Sequence, residues 1–95
     1  MQQREKRQPY QYKTGAIYEG EWKGGFRDGQ GTQTWPDGAK YTGQWKDNKA
    51  FGYGKFTHAD GDIYDGNWAN DKANGFGTYS HVTGATYQGN WKDDL

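Results

Sequence analysis

Tyr41-Thr42-Gly43-Gln44-Trp45 is one of four copies of a Tyr-x-Gly-x-Trp segment; the others occupy residues 18–22, 64–68 and 87–91. The copies follow one another at a step of 23 residues. The same step links Gly15, Gly38, Gly61 and Gly84, then Gly29, Gly52 and Gly75, then Gly31, Gly54 and Gly77. Fourteen of the sixteen Gly and four of the five Trp fall on this lattice with no insertion, which marks a repeat architecture. The fifth Trp, Trp35, shares a looser column with Tyr12, His58 and His81.

Within the quoted stretch, packed and polar positions alternate, the period of a strand with one covered face. A helix is disfavoured, since each Gly costs about 1 kcal/mol relative to Ala in a helix and no apolar stripe at helical spacing occurs. Trp35-Pro36-Asp37-Gly38-Ala39 reads as a tight turn in which Pro presets φ, Asp bonds nearby backbone and Gly38 takes positive φ. Residues 13–15, 59–61 and 83–84 repeat the signal.

If each turn is a three-residue loop with Gly in the left-handed position, the register follows. Tyr10 faces Tyr18, Gln33 faces Tyr41, Phe56 faces Tyr64 and Tyr79 faces Tyr87, and each periodic Trp faces a Gly, as Trp45 faces Gly29. A ring can then lie over bare backbone, which makes Gly20, Gly31, Gly43, Gly54, Gly66, Gly77 and Gly89 structural glycines. Four hairpins are expected at about residues 8–22, 31–45, 54–68 and 77–91, joined by eight-residue loops. An isolated hairpin is marginal in water, so they stack into an all-β, single-layer antiparallel solenoid of 23-residue repeats. Residues 8–95 form the array, and residues 1–7 a polar, flexible leader. With no polar cap after Trp91, the last strand is expected to leave an open edge, as in a fragment of a longer array or a surface for association.

The composition suits this picture. Two Ile, one Val and one Leu leave the core to eight Tyr, five Trp and four Phe. Zero Cys excludes disulfides, thiolate chemistry and Cys-ligated zinc. Twelve basic residues balance twelve acidic ones, so the broad basic footprint of a nucleic-acid binder is missing. Residues 1–55 hold ten basic and six acidic residues, and residues 56–95 two and six, an asymmetry favouring head-to-tail contact between copies. No run of about 18 apolar residues spans a bilayer and residues 1–9 resemble no signal peptide, so a cytoplasmic location is expected.

The unit Tyr18-Glu19-Gly20-Glu21-Trp22, then Gly29-Gln30-Gly31-Thr32, then Pro36-Asp37-Gly38 resembles the MORN repeat (membrane occupation and recognition nexus), over residues 10–91. The resemblance implies a β-hairpin solenoid without catalytic residues, serving as a scaffold or binding module in cytoskeletal, ciliary and membrane-contact proteins. Some members resemble phosphoinositide readers, and others dimerise or clasp a peptide or helix in an aromatic groove. Family units commonly carry a basic or His residue just before the Gly-x-Gly pair, where this chain has Asp28, Phe51 and Asn74. Similar Trp- and Tyr-rich repeats occur in choline-binding wall proteins, but their run of adjacent aromatics is missing here.

Candidate sites follow. Tyr18, Trp22, Tyr41, Trp45, Tyr64, Trp68, Tyr87 and Trp91 supply the core, yet a single layer leaves part of the ring face uncovered. That face is expected to hold a protein partner, whether a helix, a peptide or another copy of the array, within a larger complex. Lys6, Arg7, Lys23 and Arg27 are the candidate contacts for an anionic membrane lipid. His58 and His81 stand two strands apart, roughly 10 Å, too far for one metal. Asp60 with Asp62, Glu19 with Glu21, and Asp93 with Asp94 read as turn or solvated residues, and Gly29-Gln30-Gly31 and Gly52-Tyr53-Gly54 lack the helix of a phosphate loop. Neither metal, cofactor nor catalysis is expected.

Overall fold

A computed structural model describes residues 4–92. The first three residues of the polar leader and the Asp93–Asp94 pair lie outside them. Nine strands are described: β1 (Arg4–Lys6), β2 (Tyr10–Gln11), β3 (Ile17–Lys23), β4 (Phe26–Thr34), β5 (Lys40–Lys46), β6 (Lys49–Thr57), β7 (Ile63–Ala69), β8 (Lys72–Ser80) and β9 (Thr86–Trp91). They form one antiparallel sheet in the order β1-β3-β4-β5-β6-β7-β8-β9, with β2 also pairing β3. Its extents are 42 × 27 × 16 Å, thinnest across the sheet.

The register is the one that the three-residue turns dictate. Tyr10 pairs with Tyr18, Gln33 with Tyr41, Phe56 with Tyr64 and Tyr79 with Tyr87. Gly38 takes φ 97° and its amide donates to the Trp35 carbonyl at 3.0 Å, while Asp37 Oδ1 accepts the Ala39 amide at 2.9 Å. The turns at Gly15, Gly61 and Gly84 are built alike.

Three expectations need correction. The eight-residue loops do not exist: the strands run on through them and close in two-residue turns at Gly24-Gly25, Asp47-Asn48 and Asn70-Asp71. Asp47 (φ 51°), Asn48 (φ 71°), Asn70 (φ 52°) and Asp71 (φ 69°) all sit in the left-handed region, as a primed turn requires for strands of right-handed twist. Gly29, Gly52 and Gly75, at positive φ, accompany a register shift in each pair, a bulge that broke the alternation and disguised the strand.

The first hairpin also starts earlier than residue 8. Arg4–Lys6 pairs with β3, and Trp22 faces Glu5, so the Trp-opposite-Gly rule holds at Trp45, Trp68 and Trp91 only. Asp28, buried just before Gly29-Gln30-Gly31, accepts Arg4 Nε at 2.8 Å and ties β1 to the sheet. Burial opposes its charge, but the hydrogen bonds from Arg4 and the Asp47 amide outweigh that and hold it below the ordinary carboxylate value. Finally, the ring that covers glycine is Tyr rather than Trp.

Candidate binding groove

The first three Tyr-x-Gly-x-Trp segments lay their Tyr down along the strand. Tyr18 Oη donates to the Glu21 carbonyl at 2.7 Å, Tyr41 to Gln44 at 2.8 Å and Tyr64 to Asn67 at 3.1 Å. The flattened ring covers the neighbouring strand so closely that a Cβ at Gly31, Gly54 or Gly77 would fall on it. The Trp of the next repeat then meets the Tyr edge to face, Tyr18 with Trp45 at 5.4 Å, Tyr41 with Trp68 at 5.3 Å and Tyr64 with Trp91 at 5.7 Å. Each of those indoles donates to a glycine carbonyl, Gly31, Gly54 and Gly77 respectively, at 3.0 to 3.2 Å. Trp22 Nε1 is buried without a partner, because the residue 14 positions upstream is Gln8, between β1 and β2 and outside either strand.

This packing divides the eight ring residues named from the sequence. Tyr18, Trp22, Tyr41, Trp45 and Tyr64 are buried, because recumbent rings make the second layer that the sheet lacks. Burial pushes the Tyr18 phenol up to about 12 and raises Tyr41 as well. Trp68 and Trp91 are half-buried, and Tyr87 is 57% exposed on β9. Between β6 and β9 the ring face opens into a cavity of about 400 Å³ walled by Phe56, Tyr64, Trp68, Tyr79 and Trp91, with Asp71 at its rim.

The four basic residues named for lipid contact are not brought together. Lys6 pairs with Glu21 and Lys23 with Phe26, which puts both on the face opposite Trp22. Arg7 instead lies 5.5 Å from the Trp22 ring, and Arg27 reaches into the ring face, 4.5 Å from the Trp45 ring.

Two polar residues differ from their reading in the sequence: Asp62, taken for a turn or solvated residue, and Gln33, taken only for the partner of Tyr41, are both buried. Asp62 stands where the other repeats have Ala16, Ala39 and Ala85, and that break in the lattice was its signal. Buried, it accepts the Val82 amide at 3.0 Å, the Tyr79 hydroxyl at 3.0 Å and His81 Nδ1 at 3.0 Å; the Val82 bond leads in holding its pKa below the ordinary value. Gln33 is buried where Phe56 and Tyr79 stand in later repeats, and it accepts from Arg27. His58 packs on Phe56 at 4.7 Å, and among the described residues no cluster of His, Asp or Glu could hold a metal. Asp60 serves its turn, accepting the Asp62 amide at 3.0 Å. No described helix is long and apolar enough to cross a membrane.

Comparison with known families finds the MORN repeat, whose model matches residues 18–40, 41–63, 64–86 and 87–95. Each matched unit begins at the Tyr of a Tyr-x-Gly-x-Trp segment, recumbent in the first three, and those three run through the following glycine turn. Comparison with curated proteins finds no match.

Proposed function

This chain belongs to the MORN repeat family of non-enzymatic modules, which serve generally in protein and membrane interactions, and on that premise we propose that it binds a protein partner through its ring face. The carrying observation is the cavity of about 400 Å³ between β6 and β9, open where the equivalent rings of β3 and β5 are buried. A preformed concavity with aromatic walls and one carboxylate at its rim suits an inserted side chain or a helix edge, and Trp and Tyr carry most of the energy in such interfaces. A cytoplasmic setting in a cytoskeletal or ciliary assembly is the one the resemblance implies, and it belongs to the proposal. The separation of Lys6 and Lys23 from Arg7 and Arg27 weighs against a membrane surface as the primary ligand.

A photocrosslinker at residue 87, beside the cavity, tests this. The protein it captures is purified and titrated calorimetrically against the wild type, Trp91→Ala and Lys23→Glu. The expected result is binding weakened about tenfold or more by Trp91→Ala and untouched by Lys23→Glu. Saturable binding to phosphoinositide vesicles lost on Lys23→Glu, with no protein ligand sensitive to Trp91, would replace this reading with a membrane-surface one.

A further inference from the structure

Arg27, Ala50 and Ala73 occupy one position of the 23-residue lattice. In the first repeat the arginine is laid into the groove. Its Cζ lies 4.5 Å from the Trp45 ring and 5.5 Å from the Tyr12 ring. Nε donates to Asn48 Oδ1 at 3.3 Å, Nη2 donates to the Asn48 carbonyl at 2.8 Å, and Nη1 donates to Gln33. One repeat on, the flat walls recur without the arginine: Trp68 stands for Trp45, Trp35 for Tyr12, Phe56 for Gln33 and Asp71 for Asn48, while Ala50 stops at Cβ. A cavity of about 280 Å³ remains there, lined by Trp35, Phe56, Trp68 and Asp71, with Arg27 and Gln33 of the preceding seat also in its wall.

The exchange of Asn48 for Asp71 adds a charge that the turn does not need. Asp71 Oδ1 accepts the Ala50 amide at 2.7 Å, just as Asn48 Oδ1 accepts the Arg27 amide at 2.8 Å. An amide oxygen therefore suffices for the fold. Among the described residues, no cation forms an ion pair with Asp71.

We propose that this second seat receives an arginine side chain from an extended segment of the partner, its guanidinium flat on Trp68 and paired with Asp71, in the manner of Arg27 on Trp45. The proposal rests on the groove being the binding surface and supplies the chemistry of what enters it. Arginine fits better than lysine because its planar cation stacks on an indole while its edge donates to a carboxylate. The chain's own occupant of the preceding seat is a guanidinium.

The probe is the peptide acetyl-Gly-Arg-Gly-amide, titrated into the full chain while the indole N–H signals of Trp35 and Trp68 are followed by heteronuclear NMR. Saturable shifts of both are expected. Asp71→Asn, which keeps the acceptor that Asn48 provides naturally, should leave the remaining spectrum unchanged and weaken binding about fivefold to tenfold, the loss of a charge-assisted bond. Ala50→Arg should fill the seat from within and abolish the shifts. An equal response to the citrulline peptide, tighter binding of the lysine or trimethyllysine peptide, or undiminished binding to Ala50→Arg would each overturn the proposal. Should Ala50→Arg fail to fold, equal affinity of wild type and Asp71→Asn overturns it alone. With the crosslinked partner, loss on Trp91→Ala but not on Asp71→Asn refutes the arginine seat only, whereas indifference to both refutes the groove as well.

Discussion

Gly43 and Gly89 share one column of the repeat, yet alanine should do opposite things at the two positions. Neither has positive φ, so backbone conformation does not decide between them. A Cβ at Gly43 would lie 2.7 Å from the Tyr53 carbonyl oxygen and 2.9 Å from Tyr41 Oη, and closer still to the Gly54 Cα. Two of those neighbours are backbone of a paired strand, and the third belongs to a tyrosine that is 1% exposed. Overpacking of this kind costs about 1–3 kcal/mol, and displacing the Tyr41 hydroxyl from the Gln44 carbonyl adds about 1 kcal/mol. Replacing Gly by Ala in a strand returns about 0.5–1 kcal/mol of that. The net loss is about 1–3 kcal/mol, out of the roughly 5–15 kcal/mol usual for a domain, and it lowers Tm by about 5–20 °C. At Gly89 nothing lies within 4 Å of the added Cβ, so only the gain remains and Tm should rise by a few degrees. Thermal melts followed by circular dichroism compare the two variants directly. Equal destabilisation at both sites would refute the idea that the Gly pairs exist to let strands and tyrosine rings approach.

Other outcomes follow from the same packing. Trp45→Phe should cost about 1 kcal/mol more than Trp22→Phe in urea denaturation, because only the first loses an indole hydrogen bond, to the Gly31 carbonyl; equal costs would contradict it. The Tyr18 phenol, raised by burial to about 12, makes stability that is complete below about pH 10 decline as the pH climbs toward 12, since the unfolded chain ionises first. Ultraviolet titration should show a late class of tyrosines that ionises together with loss of the fold, and a single class near pH 10 on an intact fold would sink the argument. Asp62 is depressed chiefly by the Val82 amide, so its contribution is present above the ordinary Asp value of 3.8 and is lost as pH falls through its folded value. The stability gap between wild type and Asp62→Ala should therefore close in acid; a constant gap would assign it to packing instead.

Much of the fold was legible because a repeat multiplies each weak signal. One Pro-Asp-Gly is a turn among many, but four turns in phase fix loop length, and loop length fixes the register of Tyr10, Gln33, Phe56 and Tyr79 against their partners. What escaped was local. Gly29 breaks the alternation, so a bulge read as a loop, although Gly24-Gly25, Asp47-Asn48 and Asn70-Asp71 already stood in one column as two-residue turn pairs. The step of 23 places the eight rings in two columns, but sequence says nothing of how a ring reclines. Reclining buries five of them and leaves the open surface toward Trp68 and Trp91. Arg27 was read by charge alone; comparison with Ala50 and Ala73 would have marked it as a side chain facing rings rather than solvent.

The recumbent rings also form an unbroken path along the array. From Trp22 it passes through Tyr18, Trp45, Tyr41, Trp68 and Tyr64 to Trp91, with successive centroids 5.0 to 5.7 Å apart. At such spacing, light absorbed by a buried phenol is handed to an adjacent indole before it can be emitted. The protein should therefore show little tyrosine fluorescence despite its eight tyrosines, until unfolding separates the donors from their acceptors. Emission from the phenols thus becomes a gauge of how many repeats remain stacked, with no label attached.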